Sequence, residues 1–155
     1  FDLNEGGADI LALAFYVKSC FKKGIGLSLG TANFAVGVND KKLLGAIITP
    51  GLDHMLNTLQ SSTELVNKDN KVKQSNLFFD FGINTEQALD SGSSHMLLGF
   101  INSLINMSKS KHSLTSLCIC GGNSVLIKKG LDKTKLKKIT FNPNAVIEGY
   151  YLLVK

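Results

Sequence analysis

The chain has 155 residues, 44% of them hydrophobic and 19% charged, which is the balance of a folded protein and excludes a disordered segment. The formal net charge is +5, and much of it sits in Lys128, Lys129, Lys133, Lys135, Lys137 and Lys138. No aromatic residue lies between Leu126 and Thr140, so this run reads as a solvated face and nucleic acid is not expected as a partner. No apolar run reaches the roughly 18 residues needed to cross a bilayer, so no membrane partner is expected, and the length suits one domain with its own core.

In chain order, Asp2 and Glu5 open the sequence with no basic region ahead of an apolar stretch, so no secretory leader is expected. Ala8 to Phe21 reads as a helix that is apolar nearly all round and therefore buried, with Gly24 to Gly26 ending it. Asp9 falls in its first turn, where a carboxylate suits the helix dipole.

A three-strand meander follows: Ile25 to Leu29, Asn33 to Val38, and, after the turn Asn39-Asp40, Leu43 to Thr49. Between the first two strands lies the turn Gly30-Thr31. It reads either as a hairpin that needs φ > 0 at Gly30, or as a turn whose N–H groups and Thr hydroxyl approach a phosphate. Pro50-Gly51 breaks the third strand, and a helix is expected through Met55, Leu56 and Leu59 to about Ser61.

The polar stretch Val66 to Ser75 reads as a mobile loop. Leu77-Phe78-Phe79 reads as a short strand or a packed extended piece. A long helix is expected from Glu86 to about Met107, with Thr85 or Asn84 as its N-cap. Ser91, Gly92, Ser93, Ser94 and Gly99 make its middle small. Small residues cost helix propensity and suit a close helix partner, such as a second subunit.

Thr115 to Cys120 reads as a buried strand that ends on Gly121-Gly122. A helical turn over Asn123 to Lys129, an edge strand over Lys137 to Phe141 and a closing helix over Pro143 to Val154 complete the chain. Cys118 and Cys120 share one strand face, a spacing of core packing and not of a zinc or redox motif. With Cys20 they make an odd set of thiols, which points to a reducing, cytoplasmic setting. His54, His95 and His112 lack metal-ligand spacing. A meander followed by alternating helices and strands fits an α/β fold. Its form is a ribonuclease H-like half-domain of the actin-like (ASKHA) phosphotransferase superfamily, a mixed sheet with flanking helices.

Several blocks, in order, resemble type III pantothenate kinase, the family also described as Bvg accessory factor-like. Gly7-Ala8-Asp9-Ile10 resembles its Gly-Ala-Asp-Arg helix start. Ser28-Leu29-Gly30-Thr31-Ala32-Asn33-Phe34 is similar to its Asp-x-Gly-Thr-Ala-Thr-Thr phosphate turn, and Gly45 to Gly51 to its Gly-Ala-Ile-x-Pro-Gly strand end. Gly82-Ile83-Asn84-Thr85 with Ala88 and Ser91-Gly92, then Gly121-Gly122, then Glu148-Gly149, complete the series.

The resemblance covers the second part of such a kinase; nothing matches the family's first, N-terminal phosphate loop. A single C-terminal domain over 1–155, lacking the N-terminal half-domain, is therefore expected. The resemblance implies transfer of phosphate from ATP, carried with Mg²⁺, to the hydroxyl of pantothenate, with K⁺ or NH₄⁺ as monovalent cation. It implies Asp9 as the base, Gly7 and Thr85 at pantothenate, and Gly30, Thr31, Gly121 and Gly122 at the nucleotide. Ser28 stands where the family has a cation-holding Asp, and Ile10 where it has a substrate-holding Arg. Activity with an N-terminal half or as a homodimer is one expectation. A non-catalytic structural or regulatory subunit is the alternative, and a generic α/β binding module a third. Asp9 remains open between base and helix-start residue, and Thr85 between cap and substrate contact.

Overall fold

A computed structural model describes residues 7–62, 77–128, 130, 131 and 133–154. The expected loop over Val66 to Ser75 lies outside these residues. The described elements are helix α1 (Ala8–Phe21), strands β1 (Gly24–Leu29), β2 (Ala32–Val38) and β3 (Leu43–Pro50), and helices α2 (Leu52–Ser62) and α3 (Thr85–His112). Strand β4 (Ser116–Cys120), the short helix α4 (Ser124–Ile127), a 3-10 turn over Lys133–Lys135, strand β5 (Lys138–Phe141) and helix α5 (Ala145–Leu153) follow.

One five-stranded sheet holds them, in the order β3-β2-β1-β4-β5. The three-strand meander is antiparallel, Ser28 opposite Phe34 and Ala35 opposite Ile47. β4 adds parallel to β1 and β5 parallel to β4. Parallel neighbours need a long crossover, and α2 and α3 supply it between β3 and β4. This is the mixed sheet with flanking helices of a ribonuclease H-like half-domain.

Side-chain alternation assigns the two faces. Ile25, Leu27 and Leu29 of β1 join Leu117 and Ile119 of β4 under α2 and α3, which bring Leu52, Leu56, Leu97 and Ile101. On the other face Phe34, Val36, Cys118 and Cys120 meet Ile10, Leu13 and Val17 of α1. A side chain at Gly26 would run into Leu13, Val17 and Val36, so its glycine is what seats α1 on the sheet. α5 lies on α1 just as closely: a Cβ at Gly149 would collide with the Ala12 carbonyl. Asn142, just past β5, ties this face together. Its side-chain amide donates to the Tyr16 hydroxyl at 2.8 Å and to Glu148 Oε1 at 3.0 Å.

The structure revises several expectations. α1 is not ended by Gly24 to Gly26. Lys22 caps it with φ 61°, its N–H donating to Lys18 O, and Gly24 and Gly26 already belong to β1. α3 runs five residues further than Met107, to His112, and Ser113 closes it in the left-handed region with φ 56°. Of the two readings of Leu77-Phe78-Phe79, the packed extended piece holds: it lies along α3, with the Phe78 N–H donating to Ser94 Oγ at 2.9 Å. The helical turn expected over Asn123 to Lys129 is α4.

Burial pushes the Cys118 thiol up from its ordinary 9.0 to about 12. Cys120 moves the same way, with the Ser28 hydroxyl partly opposing burial. Cys20 is exposed. At about pH 8 a thiol reagent is therefore expected to modify Cys20 alone in the folded chain and all three cysteines in denaturant. A thiol whose pKa is raised by folding favours the fold while the unfolded thiol is protonated. That contribution shrinks as pH rises above 9.0 and is lost by about 12. Rapid labelling of Cys118 or Cys120 in the native chain, or a melting temperature that holds from pH 9 upward, would contradict this packing.

Candidate active site

β1 and β4 are parallel neighbours, so both deliver their C-terminal ends to the same edge of the sheet. Each ends in a glycine turn: Gly30-Thr31 after β1, Gly121-Gly122 after β4. The two turns are joined. The Asn123 N–H donates to the Leu29 carbonyl at 3.1 Å. Gly121 has φ +89°, and a Cβ there would strike the Leu29 backbone. Conformation and crowding both demand glycine at 121.

A third turn closes on the first. The Gly51 N–H donates to the Thr31 carbonyl at 2.9 Å, and a Cβ at Gly51 would collide with the Gly30 and Thr31 carbonyls. Asn33 adds a side-chain bond from its amide to the Pro50 carbonyl at 3.1 Å. Its Oδ1 is buried without a partner among the described residues. The carbonyls of Leu29, Thr31 and Pro50 are thus spent on holding three turns together, and the exposed Thr31 side chain stays outside.

Two glycines here are not required by the fold. Gly30 does not have positive φ, which corrects the hairpin explanation for it, and a Cβ there would make only an ordinary 3.6 Å contact with Ala32 O. Gly122 also lacks positive φ, and a Cβ there would meet nothing within 4 Å. Gly121 and Gly51 are structural; Gly30 and Gly122 leave open surface beside them.

α1 leads into β1 through the short link Lys22-Lys23, so it runs antiparallel to the strand. Phe21 lies against Gly24, and Leu13 and Val17 against Gly26. The N-terminus of α1 therefore points to the end of β1 that carries Gly30. Gly7 caps the helix without a side-chain bond. The exposed Asp9 folds back over it, and Asp9 Oδ1 accepts from the Ile10 N–H at 2.9 Å. A side chain at Gly7 would press on that carboxylate. Asp9 thus serves the helix start and faces solvent at the edge where the turns meet. Ile10 is 5% exposed and packed into the α1 core. Ser28 is buried too, on the α1 face, in register with Cys120, whose thiol its hydroxyl reaches.

Thr85 opens α3. Asn84, not Thr85, is the cap of α3: Asn84 Oδ1 accepts from the Gln87 N–H at 2.9 Å. α3 has 28 residues, about 42 Å of helix, against about 20 Å for the six residues of β1. Its first fully buried residue is Ser93. α3 ends just before β4 begins, so its N-terminal turns run past the strand end that carries the glycine turns, with Thr85 at their start. Along this overhang, burial and the neighbouring Glu86 push the Asp90 carboxyl up.

The structure thus brings Gly30, Thr31, Gly121 and Gly122 to one edge, aims Gly7 and Asp9 at that edge, buries Ser28 beneath it and sets Thr85 at the start of α3. Sequence reasoning missed Asn33 as the brace of the third turn. A polar residue inside an otherwise apolar strand was its signal. Tyr16 and Asn142 were missed as well, because a bond across 126 positions leaves no local pattern. Among the described residues no group of three His, Cys, Asp or Glu side chains is arranged to hold a metal ion. No described helix is long and apolar enough to cross a membrane.

The sequence model of the type III pantothenate kinase family matches residues 2–107. The type III pantothenate kinase of Mycoplasma mobile is 38% identical over 157 residues, spanning 96% of this chain and 59% of that protein. That of Malacoplasma penetrans is 39% identical over 123 residues, 77% of this chain and 47% of its own. The chain spans about half of the length of these relatives. Among solved structures, a Baf family protein of Campylobacter jejuni superposes with a TM-score of 0.62 at 20% identity, over 99% of this chain and 66% of that one. The activator of 2-hydroxyisocaproyl-CoA dehydratase from Clostridium difficile, with bound ADPNP, does so with 0.54 at 10% identity, over 94% and 65%. At these identities the structures speak for the actin-like fold alone.

The glycines separate by experiment. Gly121→Ala is expected to lower the melting temperature by several degrees, a loss of roughly 1–3 kcal/mol for a strained, crowded site. Gly30→Ala and Gly122→Ala are expected to leave it within about a degree, since neither adds strain. Equal destabilisation by all three would show that the open surface is misassigned.

Proposed function

We propose that this chain, which belongs to the type III pantothenate kinase family, forms the part of a kinase that holds the ATP phosphates and supplies the base for phosphorylating pantothenate. The observation that carries the proposal is the pair Gly30 and Gly122. Neither is needed for folding, both flank the joined turns at the ends of β1 and β4, and each keeps the backbone bare where a phosphate would approach.

In this reading Gly30, Thr31, Gly121 and Gly122 bind the nucleotide. Backbone N–H groups and the Thr31 hydroxyl meet the phosphate oxygens. ATP carries Mg²⁺ on its phosphates, which neutralises charge that develops during transfer. The neutral Ser28 hydroxyl, committed to Cys120, adds no carboxylate for a cation, K⁺ and NH₄⁺ included. Asp9 accepts the proton of the attacking pantothenate hydroxyl. Its place on the first turn of α1 keeps it exposed at the same edge, and its bond to the Ile10 N–H is easily exchanged for one to substrate.

Gly7 lets substrate approach that turn, and Thr85, free of capping duty, meets pantothenate from the overhang of α3. A second copy of the chain suits α3: Gly92 and Gly99 present no side chain, and Met96 between them in sequence is exposed. The rest of a full-length kinase would cover the other approach, and the reaction would take place in the cytoplasm.

One observation favours a non-catalytic subunit instead. Ile10 stands where the family places a substrate-holding arginine, and it is turned into the core. No charge-assisted bond to a carboxylate is available from it.

The test is phosphopantothenate formation from ATP, Mg²⁺, K⁺ and pantothenate, by the chain mixed with the remaining N-terminal part of a related kinase. Turnover is expected with the complement, and Asp9→Asn is expected to lower kcat by about 10²-fold or more at an unchanged melting temperature. Sedimentation of the same samples is expected to report a dimer. Full activity of Asp9→Asn removes the base role. Absence of turnover with a complement that is shown to bind favours the non-catalytic reading.

A further inference from the structure

The opposite end of the sheet carries a second feature, unrelated to the glycine turns. The C-terminal ends of α1 and α3 and the starts of β4 and β5 border an open hollow of about 540 Å³. Lys23, Lys109 and Lys137 line it, with Ser113, Thr115 and Ser116 between them. No carboxylate is among its described lining residues. We propose that this basal pocket binds a small anion carrying two or more phosphate groups, at a site separate from the nucleotide turns.

Lysines near helix C-termini often need no ligand, because they complement the helix dipole. That accounts for Lys109, in the last turn of α3, and for Lys18 in α1. It does not account for Lys23, beyond the cap of α1, nor for Lys137, in the turn before β5. Four separate elements each contribute to one hollow, and the three that bring an ammonium bring no compensating acid. A further cation stands at the rim, where Lys138 Nζ lies 5.0 Å from the centre of the Phe21 ring.

Backbone geometry fixes the arrangement. The Lys137 N–H donates to the Thr115 carbonyl at 2.8 Å, which pins the β5 entry to β4. The Ser113 N–H donates to Lys109 O at 3.1 Å, which sets Ser113 in the left-handed turn that opens the pocket. Three exposed lysines that share one hydroxyl-bearing hollow can converge on a multivalent anion, each ammonium donating to its oxygens together with the hydroxyls. The volume falls within the usual range of small-ligand sites and exceeds what a single inorganic phosphate fills. The site lies about 20 Å from the glycine turns, the length of β1.

The test titrates inorganic tripolyphosphate into the ¹⁵N-labelled chain. Amide shifts are expected at Ser113, Thr115, Ser116 and Lys137, as a set that saturates independently of any shifts at the glycine turns. The triple variant Lys23→Gln, Lys109→Gln, Lys137→Gln is expected to bind roughly 100-fold more weakly at an unchanged melting temperature, and Gly30→Ala to bind as the parent does. Should the triple variant not fold, Lys137→Gln alone is expected to weaken binding severalfold. Three outcomes overturn the proposal: shifts confined to the glycine turns, unaltered affinity in the lysine variants, or no binding up to about 10 mM tripolyphosphate at low salt.

Discussion

The parallel pairing of β1 with β4 is the constraint on which the structure depends. It aligns Gly26 with Cys118 and Ser28 with Cys120, and so sets two strand ends side by side. The Leu29 carbonyl then takes the Asn123 N–H, and Gly121 must adopt positive φ to let the chain pass. An unpaired buried carbonyl costs roughly 1–3 kcal/mol, so this junction is both a stabilising contact and the reason the two turns meet. Remove the pairing and the turns are two unrelated loops.

The same face logic explains why α1 matters for function. Gly26 leaves room for Leu13 and Val17 of α1 against the sheet, and Gly149 lets α5 reach the α1 backbone at Ala12. A helix seated so tightly cannot slide, and its first turn is fixed relative to the end of β1. Asp9 owes its position to that seating. The network of Tyr16, Asn142 and Glu148 holds the far side of the same helix, and burial pushes the Tyr16 hydroxyl up to about 12 against the pull of the Asn142 bond. Positioning and packing are here one property of α1.

Much of this was legible in the sequence, because local signals were strong. Alternation gave the meander, Pro50-Gly51 its end, and the order of elements the mixed sheet. The long helix was foreseen but cut short at Met107: Ser108, Ser110 and the lysines around them carry no apolar pattern, yet Ser108 is buried and the helix runs on to His112. The turn glycines were legible as a group but not by role. Sequence alone does not separate Gly121, demanded by φ and by the Leu29 backbone, from Gly122, demanded by neither. The overhang of α3, with Thr85 at its start, comes from comparing helix and strand lengths in space. Ile10 and Ser28 were visible as departures from the family pattern. The structure adds that one is core and the other bonded to Cys120, so both residues have been absorbed into the fold.

The central claim is that the joined turns after β1 and β4 form a cradle for nucleotide phosphates. The most direct measurement is an amide-resolved titration of the chain with a non-hydrolysable ATP analogue and Mg²⁺. The account predicts the largest shifts at Gly30, Thr31, Gly121, Gly122 and Asn123, with little change along β3 or β5. Shifts centred elsewhere, or none at millimolar analogue, would contradict it.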